Sequence, residues 1–113
     1  MEFVHQTKGE ILIVTPKIET LDSREARAFK EKVIDLIHLN KMKNVVIDLE
    51  QLQFIDSSGL GSFLAILKHI QSQGGELKLS HLNKPIRLNF ELVSMHKIFE
   101  IFNSTEDAVS SFK

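Results

Sequence analysis

The apolar positions of this chain change period around one short polar stretch. Val45-Val46-Ile47-Asp48-Leu49 is almost continuously apolar, the pattern of a strand buried on both faces in a parallel sheet. Further on, apolar residues recur at Leu60, Phe63, Leu64, Leu67 and Ile70, the spacing of one helix face. A link through Leu52, Phe54 and Ile55 leads to Asp56-Ser57-Ser58-Gly59-Leu60-Gly61 between the two patterns. The hexapeptide is therefore expected to be a strand-to-helix turn, where backbone donors are free and small residues let a partner approach.

The flanking segments extend the alternation. Phe3–Thr7 and Ile11–Val14 read as strands around Lys8-Gly9-Glu10, an antiparallel hairpin with Gly9 in the turn. Pro16 stops regular pairing because it has no N–H to give a ladder. Asp22 with Glu25 resembles a capping box, and Ala26, Phe29, Val33 and Leu36 or Ile37 form the apolar stripe of the helix behind it. Arg24, Arg27, Lys30, Glu31, Lys32 and Asp35 fall on its solvated faces. Asn40–Asn44 turns this helix into the central strand, with Asp48 as a polar residue at the strand end.

Gly74-Gly75 is expected to end the second helix with a left-handed cap. Glu76–Ser80 alternates as a strand, and Asn83 caps a third helix that tolerates Pro85 in its first turn. Ile86, Leu88, Phe90 and Val93 supply that helix with apolar surface. Ile98–Phe102 reads as a last strand, and Ser104 with Asp107 as the cap of a short helix through Ala108, Val109 and Phe112. Strands alternating with helices predict an α/β fold. The hairpin followed by right-handed crossovers predicts a small mixed β-sheet with helices packed mainly on one face. All of residues 1–113 is expected to form one domain.

Composition narrows the function classes. The chain has 113 residues, an apolar fraction of 42% and a formal net charge of −1. That balance supports a core and lacks the basic surface nucleic acid needs. There are no cysteines, so no disulfide framework or thiolate metal site. The five histidines are scattered without metal-ligand spacing and are read as structural or solvated, with no cofactor or metal expected. With no signal pattern and no apolar run of spanning length, the expected location is the cytoplasm, without membrane insertion.

The hexapeptide carries the remaining chemistry. Ser57 or Asp56 can accept hydrogen bonds from the helix start. Gly59 and Gly61 remove bulk where a partner backbone could approach. Two adjacent hydroxyls at the positive end of a helix dipole suit a phosphate, bound or covalent, although any capped helix start can carry Ser, Asp and Gly. An enzyme is not expected. Gly59-Leu60-Gly61 is half a dinucleotide fingerprint, with Leu64 at the third glycine position. No P-loop lysine or G-x-S-x-G elbow is present, and nothing marks a histidine as base for Ser57 or Ser58.

Phe54-Ile55-Asp56-Ser57-Ser58-Gly59-Leu60-Gly61 resembles the signature of the bacterial anti-sigma-factor antagonists, the single STAS-domain proteins of partner-switching systems. The similarity extends over nearly the whole chain. It implies the STAS fold, and a switch in which the unphosphorylated protein binds an anti-sigma factor that is also a serine kinase and frees the sigma factor. By this resemblance Ser57 is the phosphoacceptor, with Ser58 second. A PP2C-type phosphatase is the opposing partner, and Asp22, Asp56, Ser57, Ser58, Gly59, Leu60 and Gly61 form the binding surface. For Leu60, contact with a partner and packing in the core are both open.

Departures from the family pattern are local. The family's glycine-acid-apolar-aspartate stretch is kept only in part, since Glu19-Thr20-Leu21-Asp22 lacks the glycine. Ser94-Met95 stands where the family commonly has Gly-Leu. Asp48 matches a position that is often Asp or Asn in the family and is given no catalytic role. The alternative reading is a STAS binding subunit without a switch, for example of a lipid-transport complex.

Overall fold

The computed structural model describes residues 1–112. Strands β1 (Phe3–Lys8) and β2 (Ile11–Pro16) form the expected antiparallel hairpin, with Gly9 at φ 62° in its turn. Pro16 is the last residue of β2 and lies opposite Phe3. Three crossovers follow: α1 (Ala26–Asn40) to β4 (Asn44–Asp48), α2 (Ser57–Ser72) to β6 (Glu76–Ser80), and α3 (Lys84–Leu92) to β7 (Glu100–Phe102). The strand order is β1-β2-β4-β6-β7, with every pair after the hairpin parallel.

Strand alternation divides the sheet into two packed faces. Leu12, Val14, Val45, Ile47, Leu77 and Leu79 join the main core with α1, α2 and α3. Ile13 and Val46 point the other way, where α4 (Thr105–Ser110) covers them with Ala108 and Val109. Burial on both faces is what the continuous apolar run of β4 required. Lys78 alternates onto the α4 side and is only 3% exposed. Its ammonium donates to Ser111 Oγ at 2.7 Å and lies 4.4 Å from the centre of the Phe112 ring. Glu76 and Glu100 approach it at 3.8 and 3.6 Å, so the buried charge is paired as burial demands.

Helix ends follow local chemistry, with some departures from the sequence reading. Asn83 and Ser104 cap α3 and α4 by accepting from the N–H groups of Ile86 and Asp107. Gly74, at φ 77°, donates to the Gln71 carbonyl and Gly75 to that of Ile70, closing α2 in a left-handed turn. The last strand is shorter than expected. Residues 95–97 form a 3₁₀ turn, so Ile98 and Phe99 precede β7. Ser94 takes φ 60° after α3, the conformation glycine would adopt without a side-chain penalty. On α3, Ile86 and Phe90 are buried, whereas Leu88 and Val93 are exposed.

Two further strands had no sequence signal: β3 (Thr20–Leu21) and β5 (Phe54–Ile55) pair in parallel as a separate ladder. They join the loop before α1 to the loop before α2. Beneath the helices, Phe3, Phe29, Phe63, Phe90 and Phe99 form a continuous aromatic row, with ring centres 5.1–5.9 Å apart. Phe63 is its middle member and is fully buried. Phe63→Ala should therefore lower the unfolding free energy by about 3–5 kcal/mol, the usual cost of removing a buried ring. The measurement is the urea midpoint at unchanged m-value.

Candidate functional site

Parallel pairing of β3 with β5 brings Asp22 and Asp56 to the same end of a two-strand ladder. The Asp56 N–H donates to the Leu21 carbonyl at 3.3 Å. One Asp56 carboxylate oxygen accepts from the Gly59 N–H at 3.0 Å and caps α2. The other accepts from the Ser23 N–H at 3.2 Å. A single side chain thus starts one helix and pins the loop that precedes another. Since Asp56 is the cap, the hydroxyls of Ser57 and Ser58 are left out of it, and both serines are exposed.

The two glycines of the turn serve different ends. Gly59 is buried, so it does not present its backbone to a partner as its position in the motif led us to expect. A Cβ there would lie against the Leu21 carbonyl oxygen, 2.6 Å from Ile55 Cγ1 and 3.1 Å from Leu21 Cγ. Its smallness serves the chain's own packing. A Cβ on Gly61 would meet nothing within 4 Å, and this exposed glycine keeps the surface of α2 low. Leu60 is 8% exposed and belongs to the core, which gives it the packing role of the two open readings.

Asp22 is held by its neighbour Arg24. Its carboxylate accepts from the Arg24 N–H and from the Arg24 guanidinium, both at 3.0 Å. The expected capping box does not form. The Asp22 carbonyl accepts from Glu25 and Ala26, but Glu25 occupies the cap position of α1 without a side-chain cap bond. Arg24, read from the sequence as merely solvated, is thus a structural part of the site. The signal was its position two residues after an aspartate, the spacing of a local side-chain-to-backbone turn.

Two more surface features adjoin the serines. Phe54, in the motif itself, is 55% exposed. An open cleft of about 320 Å³ runs between α1 and α2, with Ala26, Arg27 and Lys30 on one wall and Ser58, Gly61 and Ala65 on the other. The site is therefore an open surface of mixed polar and apolar groups around exposed hydroxyls. Among the described residues no base is paired with either serine: Asp56 is committed to backbone amides and Asp22 to Arg24.

Comparison with known proteins follows the same lines. The family model for the STAS domain matches residues 2–108. The anti-sigma F factor antagonist of Paenibacillus polymyxa is 28% identical over 93 residues, covering 82% of this chain and 80% of that protein. The anti-sigma-B factor antagonist of Bacillus subtilis is 29% identical over 89 residues, covering 79% and 80%. The crystal structure of TM1081 from Thermotoga maritima superposes with a TM-score of 0.86 at 26% identity, over 96% of this chain and 92% of that one. Among the described residues, no helix is long and apolar enough to cross a membrane.

Two predictions test the site's construction. Gly59→Ala should destabilise the fold by about 1–3 kcal/mol through overpacking, while Gly61→Ala, inside the helix with open space around it, should stabilise it by about 0.4–1 kcal/mol. Thermal and urea unfolding measure both. The Arg24 side chain, donating to Asp22, holds that carboxyl below its ordinary 3.8. A lowered folded pKa means that the contact contributes fully above about pH 3.8 and is lost as pH falls through the folded value. Arg24→Gln should therefore raise the Asp22 pKa toward 3.8 in an NMR carboxyl titration, with a small loss of stability near neutral pH that vanishes once the pH falls below the folded pKa.

Proposed function

This chain belongs to the STAS-domain family, and we propose that it acts as an anti-sigma-factor antagonist switched by phosphorylation of Ser57. STAS is a family of binding and regulatory domains, and the matched relatives named above are antagonists of anti-sigma factors. In the unphosphorylated form the surface around Asp22, Asp56, Ser57, Ser58 and Gly61 docks on an anti-sigma serine kinase and releases the sigma factor. The kinase then modifies Ser57, a PP2C-type phosphatase reverses the step, and the cycle runs in the cytoplasm.

The observation that carries this reading is that Asp56, not a serine, caps α2. Either exposed hydroxyl can therefore be esterified without removing a bond the fold uses. A phosphate adds about −1.5 to −2 charge at neutral pH. At a helix N-terminus the dipole tolerates that charge, so the fold stays as it is and the partner surface changes. Close to Asp22 and Asp56, the added charge makes the patch strongly acidic and disfavours a partner shaped to the unmodified turn. Arg24 and Phe54 add a cation and an exposed apolar ring to that recognition surface.

The test is capture from host lysate with ATP, followed by phosphosite mapping. Wild type should recover an anti-sigma kinase and carry phosphate on Ser57. Ser57→Ala should bind it without being modified. Ser57→Asp should bind at least about tenfold more weakly, a difference of about 1.4 kcal/mol, with an unchanged melting curve. Phosphate on Ser58 in Ser57→Ala would move the acceptor. Equal capture of a transporter complex by all three proteins, without phosphate, would replace the switch with a plain binding subunit.

A further inference from the structure

A second cluster of reactive side chains lies outside the serine surface, on the α4 side of the sheet. Asp48 is the last residue of β4 and pairs in register with Ser80, the last of β6. Asp48 and His81 therefore leave neighbouring parallel strands at the same end, the end where open α/β sheets bind ligands. Glu50 follows two residues later. Donor atoms of Asp48, Glu50 and His81 all lie within 4.8 Å of one another. His81 Nδ1 is 3.0 Å from Asp48 Oδ1, and Thr105 Oγ1 donates to Asp48 Oδ2 at 3.2 Å. Asp48 is 9% exposed, while the His81 side chain is 34% exposed.

We propose that Asp48, Glu50 and His81 form a binding site for a divalent transition-metal cation of the zinc class. One imidazole with two carboxylates is a donor set suited to such a cation, whereas magnesium and calcium favour oxygen alone. Ligand bonds of about 2.0–2.1 Å in a tetrahedral arrangement put donors about 3.4 Å apart. The Asp48–His81 pair, hydrogen-bonded at 3.0 Å, has to open by only about 0.4 Å to take the cation, which displaces the proton between the two atoms. Glu50 needs a shift of up to about 1.4 Å to complete the site, and its side chain is exposed.

The surroundings support the ligands. Thr105 orients the second Asp48 oxygen, and the Glu50 N–H donates to the first at 3.1 Å. Such bonds to a ligating carboxylate hold it in place for a metal. A recess of about 270 Å³ opens beside Asp48, His81 and Thr105 and leaves room for solvent ligands. It bears Lys8 and Glu106, one charge of each sign. The competing location on this chain is the His38–His69 pair, with ring centres 5.2 Å apart, where the buried His69 Nε2 has no hydrogen-bond partner among the described residues.

The experiment is titration of the full chain with ZnCl₂, followed by calorimetry and by imidazole nitrogen NMR. One zinc per chain should bind, with the His81 resonances shifting and those of His38 and His69 staying in place. His81→Gln should bind at least about tenfold more weakly, since even outer partners of metal ligands cost that much, while His69→Gln should bind as wild type. Should His81→Gln fail to fold, Glu50→Gln, altered at an exposed side chain, should give the same loss. Unchanged affinity in the folded variant, shifts confined to His38 and His69, or no binding at about 1 mM zinc (a free energy near 4 kcal/mol) would overturn the site.

Discussion

The Asp56 carboxylate holds the candidate site of this molecule together. Its two oxygens serve two amides from different loops, Gly59 at the start of α2 and Ser23 before α1. A charge-assisted bond to a backbone amide is among the stronger hydrogen bonds available to a folded chain. The β3–β5 ladder aligns the loops but contains only two residues per strand, too few for independent stability. Gly59 then lets the Leu21 carbonyl and Ile55 close over the helix start. Ladder, cap and glycine depend on one another, and together they set the spacing of Asp22 from the serines.

Much of the architecture was legible because it depends on period. The α/β alternation, the hairpin, the four helices and the caps at Asn83 and Ser104 all follow from local patterns. The junction of Asp22 with Asp56 was not legible. It rests on a two-residue ladder too short for any period to register. Gly59 and Gly61 look alike in sequence, yet one meets a carbonyl and the other meets open space. The association of His81 with Asp48, across 33 positions of sequence, is likewise a product of strand register. The capping box was read too literally, since α1 has Glu25 rather than Asp22 at its cap position and the Asp22 carboxylate accepts from Arg24 instead.

The two faces of β4 and β6 are used differently. On the helix-layer side, these strands present only aliphatic residues, Val45, Ile47, Leu77 and Leu79, to the helices. On the α4 side, the same strands carry Lys78, Asp48 and Ser80, each engaged by a polar partner. This thinner face has one short helix as its cover, so polar groups can be buried there while water still reaches their edges. A mixed sheet with unequal covers can thus bury aliphatic side chains on one face and paired polar groups on the other.

The division of labour at the α2 start has an evolutionary consequence. Selection for a folded domain acts on Asp56 and Gly59, which the backbone itself engages. It places little demand on positions 57 and 58, whose side chains the fold does not use. Descendants of such a chain are free to trade a hydroxyl for another side chain, or to shift it by one residue, without first acquiring compensating changes in the core. Lineages can therefore diverge in what addresses this surface while the scaffold beneath it stays the same.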